Sequence, residues 1–337
     1  MDKASQLIHS GLSPAAESAA NERLRLYYQP RPAENTREEI LTGLTANPRR
    51  IAPKFFYDSK GAALFDQITR LPEYYLSRVE RQIFRQHSKD MAQTVGRGRV
   101  LIEPGSGSSE KVTMLLDAFR PAAYVPLEIT ESHLLRASHQ LVMQYPWLSV
   151  HGICADYSSN IPLPDTLPDA PRLLFFPGST IGNFEPTAAR IFLGHLHDAC
   201  GDDGALLIGV DLRKKSNILN AAYNDSAHVT AQFNLNILDH TNHLADGNFN
   251  RDFFRHLAFF NDDESRVEMH LESLESQTVT VAETPLYLEA GERIHTENSY
   301  KYSVESFQAM AAEAGFKPRR FWVDPAGWFS VHLLDAA

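Results

Sequence analysis

From about residue 99 the chain alternates short apolar runs with stretches of helical spacing. RVLIEPG (99–105) is apolar and ends in glycine, and SSEKVTMLLDAFR (108–120) follows with helical periodicity. AAYVPLEI (122–129) reads as a strand, ESHLLRASHQLVMQY (131–145) as a helix, and SVHGICADY (149–157) and RLLFFPGS (172–179) as strands. PTAARIFLGHLHDAC (186–200) is helical, and ALLIGVD (205–211) is again a strand. Short apolar strands separated by helices predict a parallel sheet covered on both faces, an α/β fold. The end of the chain breaks the rhythm. A helix over 304–315 leads to FKPRRFWVD (316–324), a PAG turn and WFSVHLLD (328–335), which predicts an antiparallel hairpin on the sheet edge.

Two blocks do not fit the alternation. Residues 20–77 mix helix and loop and are rich in tyrosine. Residues 214–301 carry two helical stretches and then RHLAFFND, RVEMHLESLES and QTVTVAE, three strand-like runs. Together they predict a second, smaller α+β domain, 20–77 with 214–301, beside a sheet domain of 78–213 with 302–337. The cleft between the two is the natural ligand site. Residues 1–19 read as a disordered tail with no apolar h-region of a signal peptide.

Composition narrows the class. A net charge of −10 over 337 residues argues against a nucleic-acid footprint and against an anionic membrane surface. No run approaches the length of a membrane span. Two cysteines, Cys154 and Cys200, make no disulfide framework, so a reducing, cytoplasmic setting is expected. Without heptads or an apolar edge, the chain is expected to be a monomer. His195 and His197 lie two apart on a helix and do not face each other. His240 and His243 have no further ligands in pattern, so no metal site is expected.

The turn Glu103–Gly107 carries the first chemical signal. It follows the first strand of the alternation, where open α/β sheets bind ligands. Gly105 and Gly107 allow a tight turn and close backbone approach. A dinucleotide fingerprint needs a third glycine, and Glu110 stands in its place. That weakens a pyrophosphate ligand, as in a nicotinamide dehydrogenase, and leaves a nucleoside without phosphates. Glu128 ends the second strand, where an acid would accept from two ribose hydroxyls. Asp156 ends the third, near an adenine, and Lys111 could pair with a carboxylate. These features favour S-adenosylmethionine.

Four longer motifs carry a resemblance. KFFYDSKGAALFDQITRLPEYYLSR (54–78), EPGSGSSEK (103–111), PGSTIGNFEP (177–186) and GERIHTENSYKYS (291–303) together resemble the histidine Nα-methyltransferase family of ergothioneine biosynthesis. The likeness runs from about residue 36 to the end. It implies a class I (Rossmann-like) methyltransferase sheet joined to a histidine-binding domain. It also implies three methyl transfers from S-adenosylmethionine to L-histidine, through mono- and dimethylated intermediates, to hercynine. By motif, the cofactor residues are Gly105, Lys111, Glu128, Asp156 and Tyr157. The family often has Asp at the position of Glu128 and Phe at that of Tyr157. The implied substrate residues are Tyr57, Tyr74, Asn183, Tyr223 and Met269, with Glu297 and Ser299 gripping the imidazole. Tyr57 and Asn183 are the implied catalytic pair.

The chemistry asks for such residues. Methyl transfer from a sulfonium is in-line, and positioning supplies most of the rate. A free α-amine has a pKa near ~8, so no strong base is needed. Asn183 can orient that amine, and aromatic rings tolerate a growing cation. Glu297 can accept from one ring N–H, while Ser299 can donate to or accept from the other nitrogen. Alternation along a strand puts both in one pocket, and His295 is expected to point with them. Tryptophan or thiolated histidine is the rival substrate, and a non-catalytic binding protein the rival class. Intact Glu297, Ser299 and Met269 favour plain histidine over tryptophan, because an indole cannot use both polar partners.

Overall fold

The computed structural model describes residues 22–29, 36–157 and 160–336; the tail expected over 1–19 lies outside them. Among the described residues thirteen strands follow in chain order: β1 (Leu24–Tyr28), β2 (Val100–Pro104), β3 (Ala123–Glu128), β4 (Val150–Cys154), β5 (Arg172–Phe176), β6 (Ala205–Asp211), β7 (Phe254–Asn261), β8 (Arg266–Ser273), β9 (Gln277–Val281), β10 (Thr284–Leu288), β11 (Arg293–Tyr300), β12 (Phe316–Val323) and β13 (Phe329–Ala336). Eight of them form one sheet in the order β1-β4-β3-β2-β5-β6-β13-β12. The first six run parallel, and β13 and β12 close the edge antiparallel, as an α/β sheet with a terminal hairpin.

Alternation along the central strands explains why they are apolar throughout. Leu101, Leu173, Phe175 and Leu207 enter one hydrophobic cluster, which includes Phe84 and Leu115. Ile102, Leu174, Phe176 and Ile208 enter another on the opposite face, with Phe192 and Phe307. Each strand thus buries both faces, the condition for a parallel sheet between helical layers. Helices Glu110–Phe119 and Tyr75–Val95 cover the first face, and Pro186–Cys200 and Val304–Glu313 the second.

The remaining strands build a smaller unit. β11, β8 and β7 form an antiparallel sheet, and β9 and β10 a separate hairpin. Helices Ser216–Tyr223, Val229–Ala245, Thr36–Thr45 and Ser59–Ile68 belong with it. Its interior is continuous with the first cluster through Phe56, Phe233, Ile237 and Met269.

Two differences from the sequence reading concern the block 20–77. β1 pairs in parallel with β4 and extends the large sheet, so residues 24–28 do not belong with the smaller unit. Edge strands bury little, and LRLYY leaves Tyr28 exposed, so its apolar signal is weak. Helix Tyr75–Val95 begins three residues before the expected boundary and packs against Glu110–Phe119 under the large sheet.

Candidate active site

The glycine turn caps β2 as the motif requires. Gly105 and Gly107 have φ of +70° and +52°, where an L side chain is strained. A Cβ at Gly105 would also fall 2.4 Å from the Tyr157 hydroxyl, so the turn is bare of side chain where Tyr157 closes over it. Glu128, at the end of β3, is held from two sides. The Gly107 N–H donates to its Oε2 and the Thr130 N–H to its Oε1, both at 3.1 Å. A carboxylate has about four acceptor positions, so two remain for paired hydroxyls. The longer Glu is thus fixed in place by the turn it serves. Asp156 follows β4 on the same edge of the sheet. Strand-end acids around a bare glycine turn suit a nucleoside.

Glu103, the acid that begins the turn, is buried, and burial pushes its carboxyl up to about 8 against the hydrogen bond from Tyr124. Lys111 ion-pairs with the buried Glu80 at 2.7 Å. Glu80 also accepts from the Gly178 N–H at 2.6 Å. Lys111 Nζ lies 2.9 Å from where a Gly178 Cβ would stand, so the helix after the glycine turn borders the wall of the neighbouring cavity.

That cavity has a volume of about 590 Å³ including its mouth. Tyr57, Tyr74, Asn183, Tyr223, Met269, Glu297 and Ser299 all line it, drawn from residues 57–74, the turn after β5 and residues 223–299. Tyr57 sits between the turn Pro53–Phe56 and helix Ser59–Ile68. Asp58 caps that helix by accepting from the Gly61 N–H and also accepts from Asn236, which ties the segment to helix Val229–Ala245. Rings then meet edge to face. Tyr57 contacts Phe65 and Phe233 at 5.8 and 5.9 Å between centroids, Phe65 contacts Tyr74 at 6.3 Å, and Tyr74 contacts Tyr223 at 6.4 Å. Tyr57 is 43% exposed as a residue. Loss of water at its hydroxyl, with Glu297 nearby, still raises its pKa well above 10. Burial does the same to Tyr74 and Tyr223.

Asn183 ends the short turn Thr180–Asn183 after β5. Gly182 in that turn lies against β11, where a Cβ would meet the Tyr300 carbonyl at 2.7 Å. Glu185 fastens the same join. Its carboxylate accepts from Asn298 Nδ2 and from the Tyr300 hydroxyl, both at 2.6 Å. Met269 on β8 stands opposite Glu297 on β11. Glu297 is 8% exposed, and burial pushes its carboxyl up to about 7 while the Lys301 charge pulls it down.

His295 does not point with Glu297. A β-bulge shifts the register between them, so His295 pairs with His270 while Glu297 pairs with the adjacent Met269. The extra residue, Thr296, bonds Asn234 and the Met269 carbonyl. A bulge inverts alternation, and His295 instead bonds Asn298 at 2.8 Å.

Sequence reasoning missed the buried charges beneath the cavity. Lys301 Nζ lies 2.7 Å from Ser299 Oγ, 3.2 Å from the Tyr223 hydroxyl and 2.8 Å from Asp211 Oδ2. Asp211, at the end of β6, also binds Lys214 at 2.6 Å and accepts from the Tyr75 hydroxyl. Burial alone would raise the Asp211 carboxyl, but Lys301 and Lys214 hold it below its ordinary value. A signal existed, since 301 continues the every-second-residue spacing of 297 and 299 one residue past the end of β11. Phe65 and Phe233 were also missed.

A nucleoside turn beside a buried aromatic cavity, on a parallel sheet ended by an antiparallel hairpin, defines a small-molecule methyltransferase that draws its methyl group from S-adenosylmethionine. The chain belongs to the histidine-specific, S-adenosylmethionine-dependent methyltransferases, whose family model matches residues 36–336. It is 41% identical over 308 residues to a histidine N-alpha-methyltransferase of Mycolicibacterium smegmatis, covering 89% of this chain and 95% of that protein. The histidine N-alpha-methyltransferase of Mycobacterium tuberculosis is 38% identical over 304 residues, with 88% and 94% covered. Ergothioneine biosynthesis protein 1 of Neurospora crassa is 29% identical over 85% of this chain, which spans 33% of that longer protein.

Proposed function

We propose that the protein transfers three methyl groups, one from each of three S-adenosylmethionine molecules, to the α-amino nitrogen of L-histidine, forming hercynine for ergothioneine biosynthesis. The observation that carries this reading is the pairing of Glu297 with Ser299 in a cavity that also holds Asn183 and a wall of tyrosines. An acceptor and a hydroxyl side by side suit the two nitrogens of an imidazole. Met269 and Phe233 flank the ring, and Asn183 accepts from the α-amine.

When bound, S-adenosylmethionine supplies an electrophilic methyl on a sulfonium. Gly105, Glu128, Asp156 and Tyr157 would hold its nucleoside, and Lys111 would meet its carboxylate. The task of the chain is to keep the amine in line, and Tyr57 lies nearest the reacting nitrogen. The Tyr74 and Tyr223 hydroxyls keep their protons at neutral pH, so they orient rather than deprotonate. The amine sheds its proton to water before each transfer. Aromatic faces of Tyr57 and Tyr74 would then receive the cation as methyls take the places of the protons shed to water.

Residues 36–74 and 214–301 provide the histidine side and the large sheet the cofactor side. Among the described residues no helix is long and apolar enough to cross a membrane. We take the protein to act as a cytoplasmic monomer. Incubation with S-adenosylmethionine and equimolar histidine, tryptophan and thiolated histidine, read by mass spectrometry, should yield trimethylated histidine. Product on another amino acid alone would overturn the assignment.

A further inference from the structure

Ser299 is not free to choose the direction of its hydrogen bonds. A lysine ammonium carries three hydrogens and no lone pair, so it only donates. Lys301 has no exposed side chain, and its three polar neighbours are Asp211 Oδ2, Ser299 Oγ and the Tyr223 hydroxyl. Ser299 Oγ and the Tyr223 hydroxyl are themselves 2.8 Å apart. Between them these two hydroxyls hold two hydrogens. One bridges the 2.8 Å gap. The other finds no acceptor in Lys301 and must face the cavity. With Tyr223 donating the bridge, Ser299 Oγ accepts from both Tyr223 and Lys301, its lone pairs are used, and its own hydrogen turns to the ligand.

We infer that Lys301 is a positioning residue that makes the Ser299–Tyr223 pair a hydrogen-bond donor toward the cavity, so that with Glu297 accepting beside it the site selects a ring bearing one N–H and one bare nitrogen. The inference rests on the histidine reading and sharpens it: the ring is taken as neutral imidazole, with its N–H on Glu297 and its bare nitrogen on Ser299. Asp211 makes the arrangement tenable by neutralising Lys301, with Tyr75 and Lys214 completing its own bonds. A ring with N–H but no acceptor nitrogen would strand the buried hydroxyl hydrogen, which is where polar sites discriminate most strongly.

Pyrrol-2-ylalanine and pyrrol-3-ylalanine each keep one ring N–H and lack the bare nitrogen. Titration calorimetry with both, and with L-histidine, is done in saturating S-adenosylhomocysteine on wild type, Ser299→Ala and Lys301→Met. Wild type should bind histidine about tenfold or more tighter than the better pyrrole, the cost of one stranded donor. The preference should fall to about twofold or less in Ser299→Ala and shrink in Lys301→Met, with S-adenosylhomocysteine affinity kept. A merely structural lysine would weaken both ligands equally, and an unchanged ratio in Lys301→Met overturns the positioning role. Equal affinity of wild type for histidine and a pyrrole overturns the donor assignment while leaving the histidine reading intact. No histidine binding by wild type would instead sink both. Should Lys301→Met not fold, Lys301→Arg, which also only donates, must keep the preference; a folded Lys301→Arg without it refutes the inference.

Discussion

Replacing Glu297 with glutamine should stabilise the ligand-free protein and weaken its hold on histidine in the same variant. Burial pushes the Glu297 carboxyl from its ordinary 4.5 up to about 7, against the pull of Lys301. An unfolded chain releases that proton near 4.5, whereas the folded chain keeps it until about 7. Across that window the folded state binds the extra proton, so stability falls as pH rises, and above it the whole penalty is in place. At about 1.4 kcal/mol per unit the penalty is about 3 kcal/mol. Glutamine has the same shape and no charge. Urea unfolding should therefore show Glu297→Gln more stable by about 3 kcal/mol at high pH, with the gain shrinking toward zero as pH approaches that of an ordinary carboxyl. On the proposed histidine reading, a charge-assisted hydrogen bond to the ring would in exchange become a neutral one about half as strong. A loss of about 1.4 kcal/mol weakens the histidine Kd about tenfold by calorimetry. Equal stability of both proteins at pH 8.5 would refute the desolvated carboxylate, and unchanged histidine affinity would refute its contact with the ring.

The cofactor turn and the buried charges offer two further tests. Gly105→Ala puts a methyl group 2.4 Å from the Tyr157 hydroxyl at a φ of +70°; S-adenosylhomocysteine affinity should fall about tenfold or more, given about 1–2 kcal/mol for the backbone alone, and wild-type affinity by calorimetry would refute the close approach. Asp211→Asn leaves Lys214 and Lys301, 4% and 0% exposed, without their counter-charge; urea unfolding should show a loss of about 3–5 kcal/mol, and a loss below about 1 kcal/mol would mean that the cluster is not a buried ion network.

The large sheet was legible because each central strand is a short apolar run closed by a turn residue. Helix Pro186–Cys200 and strand Ala205–Asp211 fall where periodicity places them, to the residue. Strands β1 and β10 were missed for the opposite reason. LRLYY and TPLYL are half exposed and five residues long, so their alternation spans few positions. The cavity residues were legible only as motifs. Taken singly, a tyrosine before a helix or an asparagine in a turn reads as packing or capping. His295 was misplaced because a single inserted residue, Thr296, is silent in sequence and inverts every facing before it. Nothing in sequence marks Lys301, Lys214 and Asp211 as buried, since burial of a charge depends on partners far apart in the chain, 90 positions for Lys301 and Asp211 and 136 for Tyr75 and Asp211.

The Glu185 clasp has a metrical consequence. It ties the turn bearing Asn183 to the strand bearing Glu297 and Ser299 through two short hydrogen bonds, while Gly182 lets the backbones touch. The ends of the cavity that would hold the amine and the ring are therefore not independently mobile. They form a gauge of set length, and on the proposed function what it would measure is the number of carbons between an amino acid's head and its ring. Lengthening the substrate by one methylene cannot be absorbed by a hinge, because the two jaws of the gauge are cut from one piece.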